Sequence, residues 1–185
     1  AGGFSYGMHK NKHFRTVVAI DFNEKAADTF KRNMPGAEVI MGDITNLQVK
    51  NKIIAESKKR NVNMIIGGPP CQGFSMKGKK LGLNDARNYL FMEYLNLVEE
   101  LQPEVFVIEN VKSMLNTAGG WFRDEILKYI NKFGYKVEYG VLNAKEFGVP
   151  QARERALFIC SKSMNIKLPE GNDCVVTVRE AISDL

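Results

Sequence analysis

The sequence predicts an α/β fold built on a doubly wound, mostly parallel sheet. Three observations carry that prediction. Short apolar runs alternate with stretches of helical length along the chain. An acid follows three of those runs: Asp21 after residues 16–20, Asp43 after residues 37–41 and Glu109 after residues 105–108. The last of these runs is continuously apolar, as in a parallel strand covered on both faces. In open sheets of this kind ligands collect at the rim formed by the carboxyl ends of the strands.

The chain of 185 residues is long enough for one domain that buries about 70% of its unfolded surface. A content of 44% hydrophobic and 25% charged residues is that of an ordinary globular protein. No apolar run approaches the roughly 18 residues that span a membrane, so no membrane partner is expected. Cys71, Cys160 and Cys174 are too far apart for a disulfide framework or a paired-cysteine metal site. They predict a reducing, cytoplasmic setting and no metal. A net charge of +5 is compatible with a polyanionic partner such as nucleic acid.

Taken in order, the chain opens on the glycine-rich stretch Ala1-Gly2-Gly3-Phe4, a backbone that can approach a ligand closely or a loose terminus. The β-branched run 16–20 reads as a strand ending in Asp21, an acid suited to a ribose or to capping the helix at 24–33. Pro35-Gly36 turns the chain into a strand at 37–41, followed by Asp43. Residues 50–60 form a basic amphipathic helix whose lysines read as a solvated face. His9 and His13 lack metal-ligand company.

The central stretch is Gly67-Gly68-Pro69-Pro70-Cys71-Gln72-Gly73-Phe74-Ser75, behind the apolar run 64–66. Glycines and prolines end a strand abruptly, and a rigid Pro-Pro pair then presents one thiol. A lone cysteine is an inert, buried hydrophobe or a reactive thiol, and the spacing leaves both readings open. Lysines and glycines at 76–87 predict a loop, either solvated or a lid for phosphates. Residues 88–101 and 121–133 read as helices with core stripes, Trp121 included, and two late strands follow at 137–142 and 155–160. Arg153 and Arg155, two apart on an extended segment, face the same side as a surface pair or as an anion or carboxylate clamp. A short helix begins near Thr177.

Ala1-Gly2-Gly3-Phe4, Asp21, Asp43, residues 67–75, Glu109-Asn110-Val111 and Gln151-Ala152-Arg153-Glu154-Arg155 occur together and in this order. On them the chain resembles the cytosine carbon-5 DNA methyltransferases over nearly its whole length. The resemblance implies a Rossmann-like S-adenosylmethionine-dependent methyltransferase fold and methyl transfer to carbon 5 of cytosine in double-stranded DNA. It implies Cys71 as nucleophile on carbon 6, Glu109 as the acid at ring nitrogen N3, and Arg153 and Arg155 as the residues that orient Glu109 and hold the base or a phosphate. For S-adenosylmethionine it implies Ala1, Gly2 and Gly3 along the glycine loop, Asp21 at the ribose and Phe22 stacked on adenine. Asp43 and Ile44 would meet the adenine edge, and Pro70 and Leu90 would complete the pocket.

Two departures from the family pattern qualify this. The glycine loop has no strand before it, so the sheet is expected to lack its first, central strand within residues 1–185. The target-recognition domain and closing helix expected after Leu185 are also absent, so a separate chain supplying target recognition is a candidate partner. Two further readings stay open: a tRNA cytosine carbon-5 methyltransferase, and a non-catalytic subunit that binds cofactor or partner.

Overall fold

The computed structural model describes residues 1–70, 89–172 and 175–184. The Cys71 thiol and the lysine-rich lid expected at 76–87 lie outside the described residues. In chain order the elements are α1 (Gly3–His9), β1 (Val18–Asp21), α2 (Glu24–Asn33), β2 (Glu38–Met41), α3 (Leu47–Lys59) and β3 (Met64–Gly67). Then come α4 (Tyr89–Leu101), β4 (Val105–Val111), α5 (Trp121–Lys132), β5 (Lys136–Asn143), β6 (Glu154–Ser161) and α6 (Val178–Ala181). The α/β class and its strand–helix alternation are those expected from the sequence.

The chain divides into two compact units, Ala1–Asn63 with Leu95–Pro103, and Met64–Tyr94 with Glu104–Leu185. In the first, β1 and β2 pair in parallel from Val18↔Glu38 to Asp21↔Met41. Buried Ile40, Ile53 and Leu97 form its core, with Val18, Ile20, Ile44, Val49 and Ile54 packed against them. Asparagines start both following helices. Asn23 accepts a hydrogen bond from the Ala26 amide at 3.0 Å, and Asn46 one from Gln48 at 2.9 Å, each satisfying an orphan donor of the first turn. Asn61, with φ 52°, ends α3 in the left-handed conformation, and the Val62 amide closes back on the Ser57 carbonyl at 3.0 Å. Several cations in and just after α3 pair with neighbouring acids: Lys58 with Glu100 at 2.7 Å, Arg60 with Glu56 at 3.1 Å and Lys52 with Glu38 at 3.5 Å. His9 has a structural part, accepting the Thr16 amide through Nε2 at 2.8 Å.

The second unit holds a four-stranded sheet in the order β3-β4-β6-β5. The β3–β4 pair is parallel, while β6 runs antiparallel to both of its neighbours. One sheet face presents Phe106, Ile108, Ala156, Phe158 and Cys160, all fully buried. Phe106 meets Tyr135 edge-on at 4.8 Å, and Phe91 of α4 meets Phe122 of α5 at 5.4 Å. In α5 the buried stripe is Phe122, Ile126 and Ile130, spaced four residues apart as one helix face requires. Trp121, expected in the core, is half-buried because it lies one residue off that stripe.

Candidate active site

Strand β4 runs beyond its apolar stretch to include Glu109, Asn110 and Val111. Glu109 stands opposite Leu157 of β6, and Arg155 lies two residues before Leu157. Residues two apart on a strand share a face, so the arginine reaches Glu109 along the diagonal of the antiparallel pair. Arg155 Nε meets Glu109 Oε1 at 2.8 Å, and an Arg153 guanidinium nitrogen lies 3.9 Å from the same oxygen. Of the two arginines, Arg155 is the direct partner of the carboxylate and Arg153 the more distant one. Glu109 and Arg155 are both about one-quarter exposed, sheltered enough for a charge-assisted bond to hold its direction. Arg153 is fixed through its backbone: its amide donates to Asn143 Oδ1 at 3.1 Å and its carbonyl accepts the Ala144 amide at 2.9 Å.

The strand leading to the Cys71 stretch is fitted closely to this carboxylate. Gly67 pairs with Ile108, so Gly68 falls beside Glu109. A Cβ on Gly68 would stand 2.9 Å from Glu109 Oε2, so the carboxylate occupies the space a side chain would need. A Cβ on Gly67 would come within 2.6 Å of the Tyr94 ring. That ring is buried, and its hydroxyl donates to the Val107 carbonyl at 2.8 Å. The two glycines therefore let an aromatic ring and a carboxylate close in on the end of β3. Asn110, which the sequence marks only as part of Glu109-Asn110-Val111 and without a role, donates from Nδ2 to the Pro69 carbonyl at 2.8 Å. Its place between Glu109 and Val111 was the available signal.

The residues expected to bind the cofactor fall partly in the first unit. Gly2 has φ 88° at the start of α1, and a Cβ there would stand 2.8 Å from the Phe30 ring, so glycine is required on both counts. Asp21 accepts the Asn23 amide through Oδ1 at 2.9 Å. The capping role that competed with ribose binding belongs instead to Asn23. Phe22 is 78% exposed, a large ring presented to solvent. Asp43 accepts the Thr45 amide and hydroxyl, both at 2.8 Å, and these bonds hold its carboxyl below the ordinary range. Ile44 is partly buried against the core. Ala1 is exposed, as is Pro70, and Leu90 is half-buried in the first turn of α4.

The structure thus brings Glu109, Arg153 and Arg155 together, with Gly68 against them. It places Asp21 at the end of β1 and Asp43 just past β2, where the Gly42 amide closes on the Asp21 carbonyl at 3.1 Å. Pro70 and Leu90 belong to the second unit rather than the first. Cys160 is fully buried on β6, and burial pushes its thiol well up, which fits a structural residue.

Comparison with known proteins shows the family. The chain is 42% identical over 170 residues to the type II methyltransferase M.AquIA of Picosynechococcus sp., covering 86% of this chain and 67% of that protein. It is 41% identical over 164 residues to the type II methyltransferase M1.HphI of Haemophilus parahaemolyticus, covering 88% of this chain and 44% of that one. Among solved structures, the S. pombe Dnmt2 methyltransferase matches with a TM-score of 0.69 at 24% identity, over 90% of this chain and 50% of that chain, a likeness of fold. The chain spans about half or less of the length of most of the curated relatives it matches. The profile of the C-5 cytosine-specific DNA methylase family matches residues 1–181, and the chain belongs to that family.

Proposed function

We propose that this chain carries the catalytic centre for transfer of a methyl group from S-adenosylmethionine to carbon 5 of cytosine in DNA. The observation that supports this most is the Glu109 carboxylate, held at 2.8 Å by Arg155 with Gly68 packed against it. The strand beneath it, β4, adjoins the strand that leads into Cys71.

The cofactor residues fit this reading. Gly2 and Gly3 open α1 without a side chain in the way, and the exposed Phe22 ring suits a planar base. Among the described residues, Asp21 and Asp43 each use one carboxylate oxygen locally, which leaves the other for a hydroxyl or amino group. Asp21 would take the ribose hydroxyls, and Asp43 with Ile44 the adenine edge; Ala1 would lie beside them. When bound, S-adenosylmethionine supplies an electrophilic methyl group.

The chain's own residues do the rest. The Cys71 thiolate forms a bond to carbon 6 of the cytosine. Glu109 gives a proton to N3, which neutralises the ring and leaves carbon 5 electron-rich, ready to accept a methyl. Arg155, with Arg153 behind it, fixes the carboxyl that delivers this proton. Return of the N3 proton to Glu109, transfer of the carbon-5 proton to water and departure of the thiolate with the carbon–sulfur electron pair restore the aromatic ring. These ring carbons are shielded inside a duplex, so the base must leave the stack.

Incubation with S-adenosylmethionine and DNA carrying 5-fluorocytosine tests the reading, because fluorine at carbon 5 blocks the final elimination. A denaturation-resistant adduct that disappears in Cys71→Ser is expected. No adduct, with or without a complementing target-recognition chain, overturns it.

A further inference from the structure

Pro69 and Pro70 have no amide hydrogen, so the turn that leads into Cys71 can be tied to its neighbours through backbone only by its carbonyls. One of those carbonyls is held. Asn110 Nδ2 donates to Pro69 O at 2.8 Å, and Asn110 Oδ1 accepts the Val111 amide at 2.9 Å. The second bond fixes the amide plane, and with it the direction of the first. Asn110 is 7% exposed and Pro69 is buried, so water competes poorly for either group. Successive residues on a strand face opposite sides. Glu109 therefore addresses Gly68 and Arg155 on one side of β4, while Asn110 grips Pro69 from the other.

We propose that Asn110 is a positioning residue that fixes the Pro69 carbonyl, and with it the stretch 68–70 that precedes the expected nucleophile, relative to Glu109. The inference rests on the methyltransferase reading above and extends it. Asparagine suits the task because one side chain must accept from Val111 and donate to Pro69 at once. Ionised aspartate keeps the acceptor and loses the donor; alanine loses both; a protonated aspartic acid regains the donor. Thiol attack and proton delivery must act on the same ring. A small displacement of one relative to the other slows the covalent step without weakening the binding of either substrate.

The experiment measures the rate of adduct formation with 5-fluorocytosine DNA and S-adenosylmethionine, on the protein with any chain its activity requires. Wild type, Asn110→Ala and Asn110→Asp are compared from pH 6 to 9, with binding of DNA and cofactor measured separately. Asn110→Ala is expected to slow the adduct step about ten-fold or more at every pH, with both affinities within about two-fold of wild type. An aspartate is ionised throughout this range, so Asn110→Asp is expected to be slowed at least as much as Asn110→Ala at every pH. A wild-type protein that forms no adduct overturns the methyltransferase reading and this inference with it. A wild-type adduct with an Asn110→Ala or an Asn110→Asp rate within two-fold of wild type overturns the inference alone. Loss of fold in both variants also overturns it, because Asn110 would then be a residue the core requires.

Discussion

Arg155 binds Glu109 through Nε at 2.8 Å, while Arg153 approaches the same carboxylate oxygen only to 3.9 Å. Two arginines that look equivalent in sequence are therefore unequal in space. Strand alternation aims both at one face, but Arg155 lies in β6 and Arg153 just before it, on the connection from β5. Arg155 orients the carboxylate directly, and Arg153 contributes a more distant charge.

That inequality sets the first expected outcome. Arg155→Ala should slow adduct formation with 5-fluorocytosine DNA by about a hundred-fold, the usual effect of removing one oriented donor from a reacting site. Arg153→Ala should cost several-fold less. Arg155→Lys should recover little, since an ammonium cannot reproduce the direction of Nε. Equal losses in the two alanine variants would contradict the geometry.

Gly68→Ala places a methyl group 2.9 Å from Glu109 Oε2. The obstructed atom is the far end of a flexible side chain, so the carboxylate can move aside and the fold survives. The moved carboxylate no longer faces Arg155 as before. Thermal stability should change by no more than about 1 kcal/mol, while the adduct rate falls. A variant that melts much earlier, or reacts as fast as wild type, would show that the carboxylate does not fill this space.

Much of this arrangement was readable from the chain, and the unread parts share a cause. Strand and helix positions follow from burial periodicity, which is local; Phe122, Ile126 and Ile130 mark their helix face by spacing alone. That Arg155 shares a strand face with the partner of Glu109 was legible because alternation on a strand is also local. The Gly68–Glu109 contact depends on the β3–β4 register, Gly67↔Ile108, between residues some forty apart. The Asn110–Pro69 bond depends on the same register. Trp121 was misplaced because its size suggests a core residue, whereas the helix face is set by where the sheet lies.

Asp21→Asn separates charge from structure in the first unit. Asparagine retains an oxygen to accept the Asn23 amide, now bonded to Asp21 Oδ1 at 2.9 Å, so the turn into α2 persists. What is lost is the negative charge available to ribose hydroxyls. A hydrogen bond to a charged group contributes about 1.5–3 kcal/mol, so S-adenosylmethionine affinity should fall about ten-fold or more. Isothermal titration measures this, with unchanged circular dichroism as the control. Unaltered affinity would remove Asp21 from the cofactor site.

The last expectation concerns alkaline pH. Burial raises the Cys160 thiol well above its ordinary value of 9.0, raises Tyr94 well above 10.0, and pushes Tyr135 up to about 12. In each case the folded protein keeps a proton that the unfolded chain releases near the ordinary value. The stabilising contribution is therefore complete below about pH 9 and is lost as pH rises toward the folded-state values. Each such group lowers stability by about 1.4 kcal/mol per pH unit across its window. Cys160→Ala opens a small cavity and costs about 1–2 kcal/mol at neutral pH. It also removes the first group to titrate, so stability should decline less steeply above pH 9 than in wild type. Urea melts at pH 8, 9, 10 and 11 compare the slopes. Parallel slopes would mean that Cys160 keeps no proton the unfolded chain gives up.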